Sequence, residues 1–410
     1  MATLAKKQPG ARHISPGKKS TVRSSSGSMP SRIRGSRGGS SAASGPAGTA
    51  SRKRRRGSTG TALRSQGGWY KRGKLSKAAF RAAYALGQAS ARELKQEQQE
   101  GGRQQLLKNG SQISQTMNAA FSKSRAGRRD ASFSAILREG AAFRNGFMDA
   151  WGEGLAMTPY VLLPLRGTAA AVVTVCNEED SIRQVLHELK LLPLTDIIVV
   201  INGCTDHSFK YTMEFEGVTV IHEPEALGLD VGRALGAKLT KADTVLFVDG
   251  DFPVSAWQLA PFLLAVDQGV DVALNDVTPY LGAFKYWDAV SRVKQFLNCS
   301  LDRPDLVTNS MTCIPHALSR RALDTIGEST LAVPPKAQAA ALAAPLKVQA
   351  SASINVFMKN RRRNQNVGSG NPVARLIIGD HIEALKSIQR KQGSRLSFAD
   401  RVRRRSQAGG

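Results

Sequence analysis

Five short apolar runs, separated by segments of helical period, constrain this chain more than any other feature. The runs are Ala169–Val175 (AAAVVTV), Asp196–Asn202 (DIIVVIN), Val218–Ile221 (VTVI), Thr244–Val248 (TVLFV) and Val270–Leu274 (VDVAL). Between the first two, Ile182, Val185, Leu186 and Leu189 recur at i, i+3, i+4 and i+7, the stripe of an amphipathic helix. Leu229–Leu239 and Ser255–Val266 read as further helices, the former despite Gly232 and Gly236. Strands that are apolar throughout are covered on both faces, and alternation with helices makes such strands parallel. Residues 168–276 are therefore expected to form an open, mostly parallel α/β sheet with helices on both faces. Ligands of such sheets bind beyond the carboxyl ends of the strands, which singles out the residues that follow each run.

Cys176-Asn177-Glu178-Glu179 follows the first run, Asn202-Gly203-Cys204-Thr205-Asp206 closes the second, and Asp249-Gly250-Asp251 follows the fourth. Neither a G-x-G-x-x-G nor a G-x-x-x-x-G-K-[ST] stands at these ends, which argues against a dinucleotide-dependent dehydrogenase and a P-loop enzyme. The acidic triplet is the most informative feature. If extended backbone continues past Val248, residues two apart share a side, and both carboxylates face one spot. Such a pair repels itself unless a cation sits between. Oxygen ligands suit Mg²⁺ or Mn²⁺, ions often shared with substrate phosphates, and Gly250 is expected to let a diphosphate approach the backbone closely.

Together these residues resemble glycosyltransferase family 2, nucleotide-sugar-dependent enzymes of GT-A fold, over residues 170–285. The resemblance is carried by Val173-Thr174-Val175-Cys176-Asn177-Glu178, Asn202-Gly203-Cys204-Thr205-Asp206, Gly228–Gly236 (GLDVGRALG) and Val248-Asp249-Gly250-Asp251. It implies a nucleotide-sugar site of Thr174, Asn177, Glu178, Asn202, Arg233 and Asp249, with Asn177, Glu178 and Asn202 lining the nucleoside pocket. It further implies a divalent metal, Mg²⁺ or Mn²⁺, held by Asp249 and Asp251. Thr174 and Cys176 replace the Pro and Tyr of many members, and Ile201-Asn202-Gly203-Cys204 stands where Asp-Asp-Gly-Ser is usual.

An inverting transfer needs a base for the acceptor proton, which the family usually draws from a Glu-Asp pair. None follows Asp251. Asn371-Pro372 is a good N-cap and N1 pair, opening a helix on which Val373, Leu376, Ile377, Ala384 and Ile388 form an apolar stripe. Asp380 and His381 fall on that stripe. Ionisable groups on a buried face are costly without a role or a partner. Asp380 is accordingly taken as base and His381 as third metal ligand, with a structural ion pair to Arg375 or Arg233 as the alternative. His316 lies in a segment suited to the acceptor wall and His222 near the nucleotide, although each also reads as structural. The Arg361-Arg362-Arg363 run reads as a phosphate contact or a solvated charge run.

Charge divides the chain of 410 residues. Residues 1–150 hold 30 Lys/Arg against 6 Asp/Glu, residues 151–350 hold 15 against 23, and residues 351–410 hold 13 against 3. A basic excess at the ends of an acidic middle argues against a folded nucleic-acid-binding face. Residues 1–68, rich in Ser, Gly and Arg, are expected to be a disordered basic tail. Its Arg52-Lys53-Arg54-Arg55-Arg56 run suits anionic surfaces. Residues 69–160 are expected to be a helical extension, 161–392 the glycosyltransferase domain and 393–410 a second basic tail. Phe143, Phe147 and Trp151 share one helical face, expected to pack on the following domain.

Four Cys without a C-x-x-C pair suit reduced cytosolic thiols. No apolar run reaches the ~18 residues of a membrane span. The expectation is a soluble cytoplasmic enzyme that moves a hexosyl group from a nucleoside-diphosphate sugar to a hydroxyl acceptor. Its tails are at most peripheral to an anionic membrane or polymer. The alternatives are a sugar-nucleotide nucleotidyltransferase, which would carry an Arg-containing glycine-rich loop after the first strand, and a non-catalytic scaffold with tails that bind nucleic acid or membrane.

Overall fold

The computed structural model describes residues 75–100, 110–128, 132–152, 160–357 and 371–398. The N-terminal basic tail, Arg361–Arg363 and the last part of the C-terminal tail lie outside these residues. Three helices come first: α1 (Lys77–Glu100), α2 (Gly110–Ser124) and α3 (Phe133–Trp151). There follow β1 (Ala169–Val175), α4 (Ile182–Lys190), β2 (Asp196–Asn202), α5 (Ser208–Thr212), β3 (Thr219–Glu223), α6 (Val231–Leu239), β4 (Thr244–Asp249), α7 (Ala256–Asp267) and β5 (Val272–Asn275). The chain continues through α8 (Ala289–Ser300), β6 (His316–Ser319), α9 (Arg320–Ile326), α10 (Pro334–Ala343), β7 (Val348–Ala352) and α11 (Pro372–Gln392).

The strands form one seven-stranded sheet in the order β3-β2-β1-β4-β6-β5-β7. β6 runs antiparallel to both β4 and β5, and the other pairs are parallel. The expected open α/β sheet is thus present, and its order reverses at β1. There β2 and β4 flank the central strand, with Thr174 level with Val200 on one side and with Asp249 on the other.

β1 is buried along its first five residues, and each fully buried Val or Ile of the sheet contributes about 1.5–3 kcal/mol. One face packs on α6: a Cβ on Gly232 would meet Thr174 and Val200, and one on Gly236 would overlap Val172. On the other face Val185 and Leu189 of α4 and Leu259 of α7 gather around Val248. The two glycines that weaken the α6 helical pattern are therefore what lets the helix lie close to the sheet.

The aromatic face of α3 packs differently from expectation. Phe143 and Phe147 are fully buried with Ala91, Ile113, Met117, Phe121, Tyr160 and Leu162, so they face α1 and α2. Contact with the sheet core is made instead by Phe133, Ile136 and Leu137 at the start of α3. α1 and α3 approach so closely that a Cβ on Gly87 would overlap the Phe143 carbonyl, and one on Gly146 the Tyr84 carbonyl. A buried Arg125–Glu139 ion pair, joined by Arg128, secures the turn after α2.

Gly236→Ala should press a methyl group into Val172 and cost about 1–3 kcal/mol by overpacking, read as a lower urea midpoint at unchanged m-value.

Candidate active site

The carboxyl ends of β1, β2 and β4 meet at one sheet edge, as the switch in strand order requires. Asp249 is the last residue of β4 and lies opposite Thr174 in the register. Thr174 Oγ1 donates to Asp249 Oδ1 at 2.7 Å. The buried Arg233, from α6, holds Asp230 Oδ1 at 2.9 Å with Nη1 and approaches Asp249 Oδ1 at 3.6 Å with Nη2. Its Nη1 also lies 3.4 Å from the Met311 carbonyl. One oxygen of Asp249 is thus fixed by a hydroxyl and a guanidinium.

Asp251 is treated differently. The strand ends at Asp249, and residues 250 and 251 form a turn, so the turn and not strand alternation brings the two acids together. Asp251 Oδ1 is buried without a hydrogen-bond partner. Burial first, and the charge of Asp249 second, push the Asp251 carboxyl up to about 7. Gly250 also departs from expectation. Its N–H donates to the Thr174 carbonyl at 2.8 Å and its own carbonyl accepts from Ser181 Oγ at 2.6 Å. A Cβ there would meet Val175 Cγ2 at 3.0 Å. The glycine makes room for β1, not for a diphosphate.

The ends of β1 and β2 are knitted together. Asn177 adopts a left-handed backbone, φ 59°, which Asn tolerates better than most residues, and its Oδ1 accepts from Thr205 N at 2.7 Å. Glu178 N donates to Ser208 Oγ at 2.8 Å, and Glu179 accepts from His207 through both backbone and ring. Asn202 spends its amide on a loop: Nδ2 donates to the Gly228 carbonyl at 2.8 Å and Oδ1 accepts from Leu227 N at 2.7 Å.

Other candidates separate. Asn371 caps α11, accepting from Val373 N and Ala374 N, but Leu376 stays 48% exposed. The buried face runs instead through His381, Ala384 and Ile388. Asp380 is half-buried; burial first, then the charges of Asp230 and Glu383, push its carboxyl up. The alternative ion pair of Asp380 with Arg375 or Arg233 does not form. His381 is fully buried. Its Nδ1 lies 2.6 Å from the Ile377 carbonyl; a carbonyl only accepts, so Nδ1 carries the proton and Nε2 keeps a lone pair without a partner. Burial pushes this imidazole down to about 4. Among the described residues no three His, Cys, Asp or Glu side chains gather as a metal cluster, so His381 is not brought together with Asp249 and Asp251. The carboxylate pair by itself fits a divalent cation: one acid is anchored, and the other presents a buried oxygen lacking a donor. His316 is fully buried on β6, stacked on Phe247 at a centroid distance of 5.2 Å, and pushed down to about 3 by burial. His222 is exposed and stacks on Phe209.

Residues 170–326 match the family model described as glycosyl transferase family 2. This segment is similar to glycosyl transferase family 2. The chain is 31% identical over 137 residues to polypeptide N-acetylgalactosaminyltransferase 6 of Bos taurus, covering 30% of this chain and 22% of that protein. The Homo sapiens counterpart is 28% identical over 174 residues, covering 40% and 28%. The chain thus spans less than a third of the length of these curated relatives. Among solved structures, glucosyl-3-phosphoglycerate synthase from Mycobacterium tuberculosis, in complex with Mn²⁺, UDP-glucose and phosphoglyceric acid, superposes with TM-score 0.42. The identity there is 18%, over 53% of this chain and 80% of that one.

The matched span ends at residue 326, before α10 and α11, so Asp380 and His381 stand outside it. Within it, two residues were given no role by the motifs. Asp230, at the N-terminus of α6, pairs with Arg233, and Lys294 of α8 lies within electrostatic reach of Asp230, Arg233, Asp288 and Cys313. Asp230 could have been found as the acid three residues before Arg233; Lys294 had no local signal.

Asp251 supplies a signed pH dependence. Its folded value, about 7, exceeds the ordinary 3.8, so between these limits the folded chain keeps a proton that the unfolded chain has released. Stability contributed by this group therefore falls as pH rises through that window. Asp251→Asn should raise the melting temperature of metal-free protein at pH 8 more than at pH 5, by thermal unfolding in EDTA. The opposing slopes of buried neutral His316 and His381 are common to both proteins and cancel in the difference.

Proposed function

We propose that this chain is a glycosyltransferase that moves a sugar from a nucleoside-diphosphate sugar to a hydroxyl acceptor, with inversion and with Mg²⁺ or Mn²⁺ as cofactor. The observation that carries the reading is the unequal acid pair at the switch point of a segment similar to family 2. Asp249 is anchored by Thr174 and Arg233, and Asp251 offers a buried oxygen with no donor. Asp249 and Asp251 would hold the cation. When bound, a divalent ion supplies Lewis-acid stabilisation to the leaving diphosphate.

The chain's own residues do the rest. Asn177 and Glu178, fixed at the end of β1, line the nucleoside side of the cleft. Asn202 acts there by holding Leu227 and Gly228 in place, since its amide is already engaged. Arg233 acts through Asp249, because its guanidinium is buried beneath that carboxylate.

Asp380 serves as general base. It takes the proton of the acceptor hydroxyl as the acceptor oxygen bonds to the anomeric carbon. The bond from that carbon to the diphosphate oxygen breaks, and the electron pair leaves with the diphosphate. A carboxyl raised by burial first and then by the charges of Asp230 and Glu383 is a stronger base than a solvated one. Cytoplasmic placement, and contact of the basic tails with an anionic membrane or polymer, complete the reading; among the described residues no helix is long and apolar enough to cross a membrane.

Thermal unfolding with Mn²⁺ and a panel of uridine and guanosine diphosphate sugars tests the site. A ligand at a hundred times its dissociation constant stabilises by about 2.7 kcal/mol. That shift should appear in the unaltered chain and vanish in Asp251→Ala with circular dichroism unchanged; a full shift in the variant would refute the metal assignment. Asp380→Asn should lower kcat by about 10²–10⁴-fold with little change in donor KM. An unaltered kcat would remove Asp380 from the base role.

A further inference from the structure

The serine that opens α4 does not cap its own helix. Ser181 stands at the N-cap, where a serine hydroxyl ordinarily accepts from an amide of the first turn. Here it makes no such bond. The hydroxyl donates instead to the Gly250 carbonyl at 2.6 Å, 69 residues along the chain, with the Glu178 carbonyl more distant at 3.4 Å. Ser181 is buried, so this short bond forms out of reach of solvent. A helix start that forgoes its cap gives up stability, and the hydroxyl is spent on the turn between Asp249 and Asp251.

The carbonyl that Ser181 grips belongs to the peptide linking Gly250 to Asp251. The peptide on the other side of the glycine is held as well, since Gly250 N donates to the Thr174 carbonyl at 2.8 Å. Thr174 also fixes the Asp249 side chain through its hydroxyl, at 2.7 Å. Glycine leaves the backbone freest to turn, and no larger residue suits this position, because a Cβ would meet Val175 Cγ2 at 3.0 Å. The angle between the two acids is therefore set from outside the triplet: Thr174 holds the peptide before Gly250, and Ser181 the one after it. Asp251 depends on that grip more than Asp249 does. Its Oδ1 is buried without a hydrogen-bond partner, so the backbone has to aim it. Two carboxylates that share a small divalent ion must present their oxygens in a narrow geometry, above all for Mg²⁺.

We propose that Ser181 is a positioning residue of the cation site, whose hydroxyl sets the direction of Asp251 relative to Asp249 through the Gly250 carbonyl. It touches neither the ion nor the donor. This rests on the reading of Asp249 and Asp251 as cation ligands. It makes the start of α4 part of the support of the site, a role that nothing in the acidic motif assigns.

UDP and GDP are titrated by calorimetry into the full chain, Ser181→Ala and Ser181→Thr, each with Mn²⁺ and with EDTA. The readout is the gain in affinity that the ion supplies. Removing a hydrogen bond that orients a metal ligand lowers metal affinity by about 10–100-fold. The gain should shrink by that factor in Ser181→Ala, with affinity in EDTA unchanged. Ser181→Thr keeps the hydroxyl and should restore most of it. Ser181→Cys, whose thiol is a weaker donor, repeats the test if the alanine variant is unstable. An undiminished gain in a folded Ser181→Ala overturns the proposal. So does an equal loss with Mn²⁺ and with EDTA, which marks a role in holding the fold. An unaltered chain whose binding of both diphosphates gains nothing from Mn²⁺ overturns the cation reading itself, and is thereby distinguished from failure at Ser181 alone.

Discussion

One carboxylate oxygen organises the site. Asp249 Oδ1 takes a hydroxyl from the neighbouring strand and faces a guanidinium from the covering helix. Each of those partners is placed by a different level of the fold. Thr174 is opposite Asp249 because β1 and β4 pair in parallel register. Arg233 reaches it because α6 lies close on the sheet, its Gly232 and Gly236 directed at Thr174, Val200 and Val172. An acid that is anchored on one oxygen keeps the other directed, which is the support a binding side chain needs from its surroundings.

The far side of Arg233 is built from buried polar groups. Met311, whose carbonyl meets the guanidinium, donates its N–H to Gln338 Oε1 at 3.3 Å, and Gln338 Nε2 donates to Asn298 Oδ1 at 3.1 Å. Asn298 Nδ2 in turn donates to the carbonyls of Val307 and Asn309 at 3.1 Å. Asn298 and Gln338 are fully buried and Asn309 nearly so. A buried network of this kind is stabilising only when its members are satisfied. It ties α8 and α10 to the loop before β6, and so holds one wall of the site to the helices that lie beyond the parallel sheet.

Legibility in the sequence follows from how each element earns its stability. β1, β2 and β4 are buried on both faces, so their apolar runs stand out, and the chemistry at their ends could be read directly. β6 (HALS) and β7 (VQASA) are short and mixed in composition, being strands by virtue of neighbours already in place. The α1–α3 contact escapes hydropathy for another reason: Gly87 and Gly146 bring backbone against backbone, and glycine leaves no apolar stripe. Asp249 and Asp251 were legible as a pair but not as unequals, since the difference depends on Thr174, 75 residues away, and on Arg233. Gly250 was misread because a Gly between two acids looks the same whether it faces a ligand or, as here, the adjoining strand.

α11 shows how far a helical period can carry an inference and where it stops. It placed His381 correctly on the buried face, but not Asp380, which is only half-buried. Adjacent residues on a helix differ by 100°, however, and here that angle decides their chemistry. His381 points into the packing between α8, α10 and α11, where its ring proton is held by the Ile377 carbonyl one turn back. Asp380 stays half-exposed, with Asp230 near enough to act on its charge. A residue that must meet an incoming hydroxyl needs access as well as burial. Of the two neighbours, only the carboxylate has both, which is why the base role is proposed for Asp380, while His381 belongs to the helix packing that sets Asp380 in place.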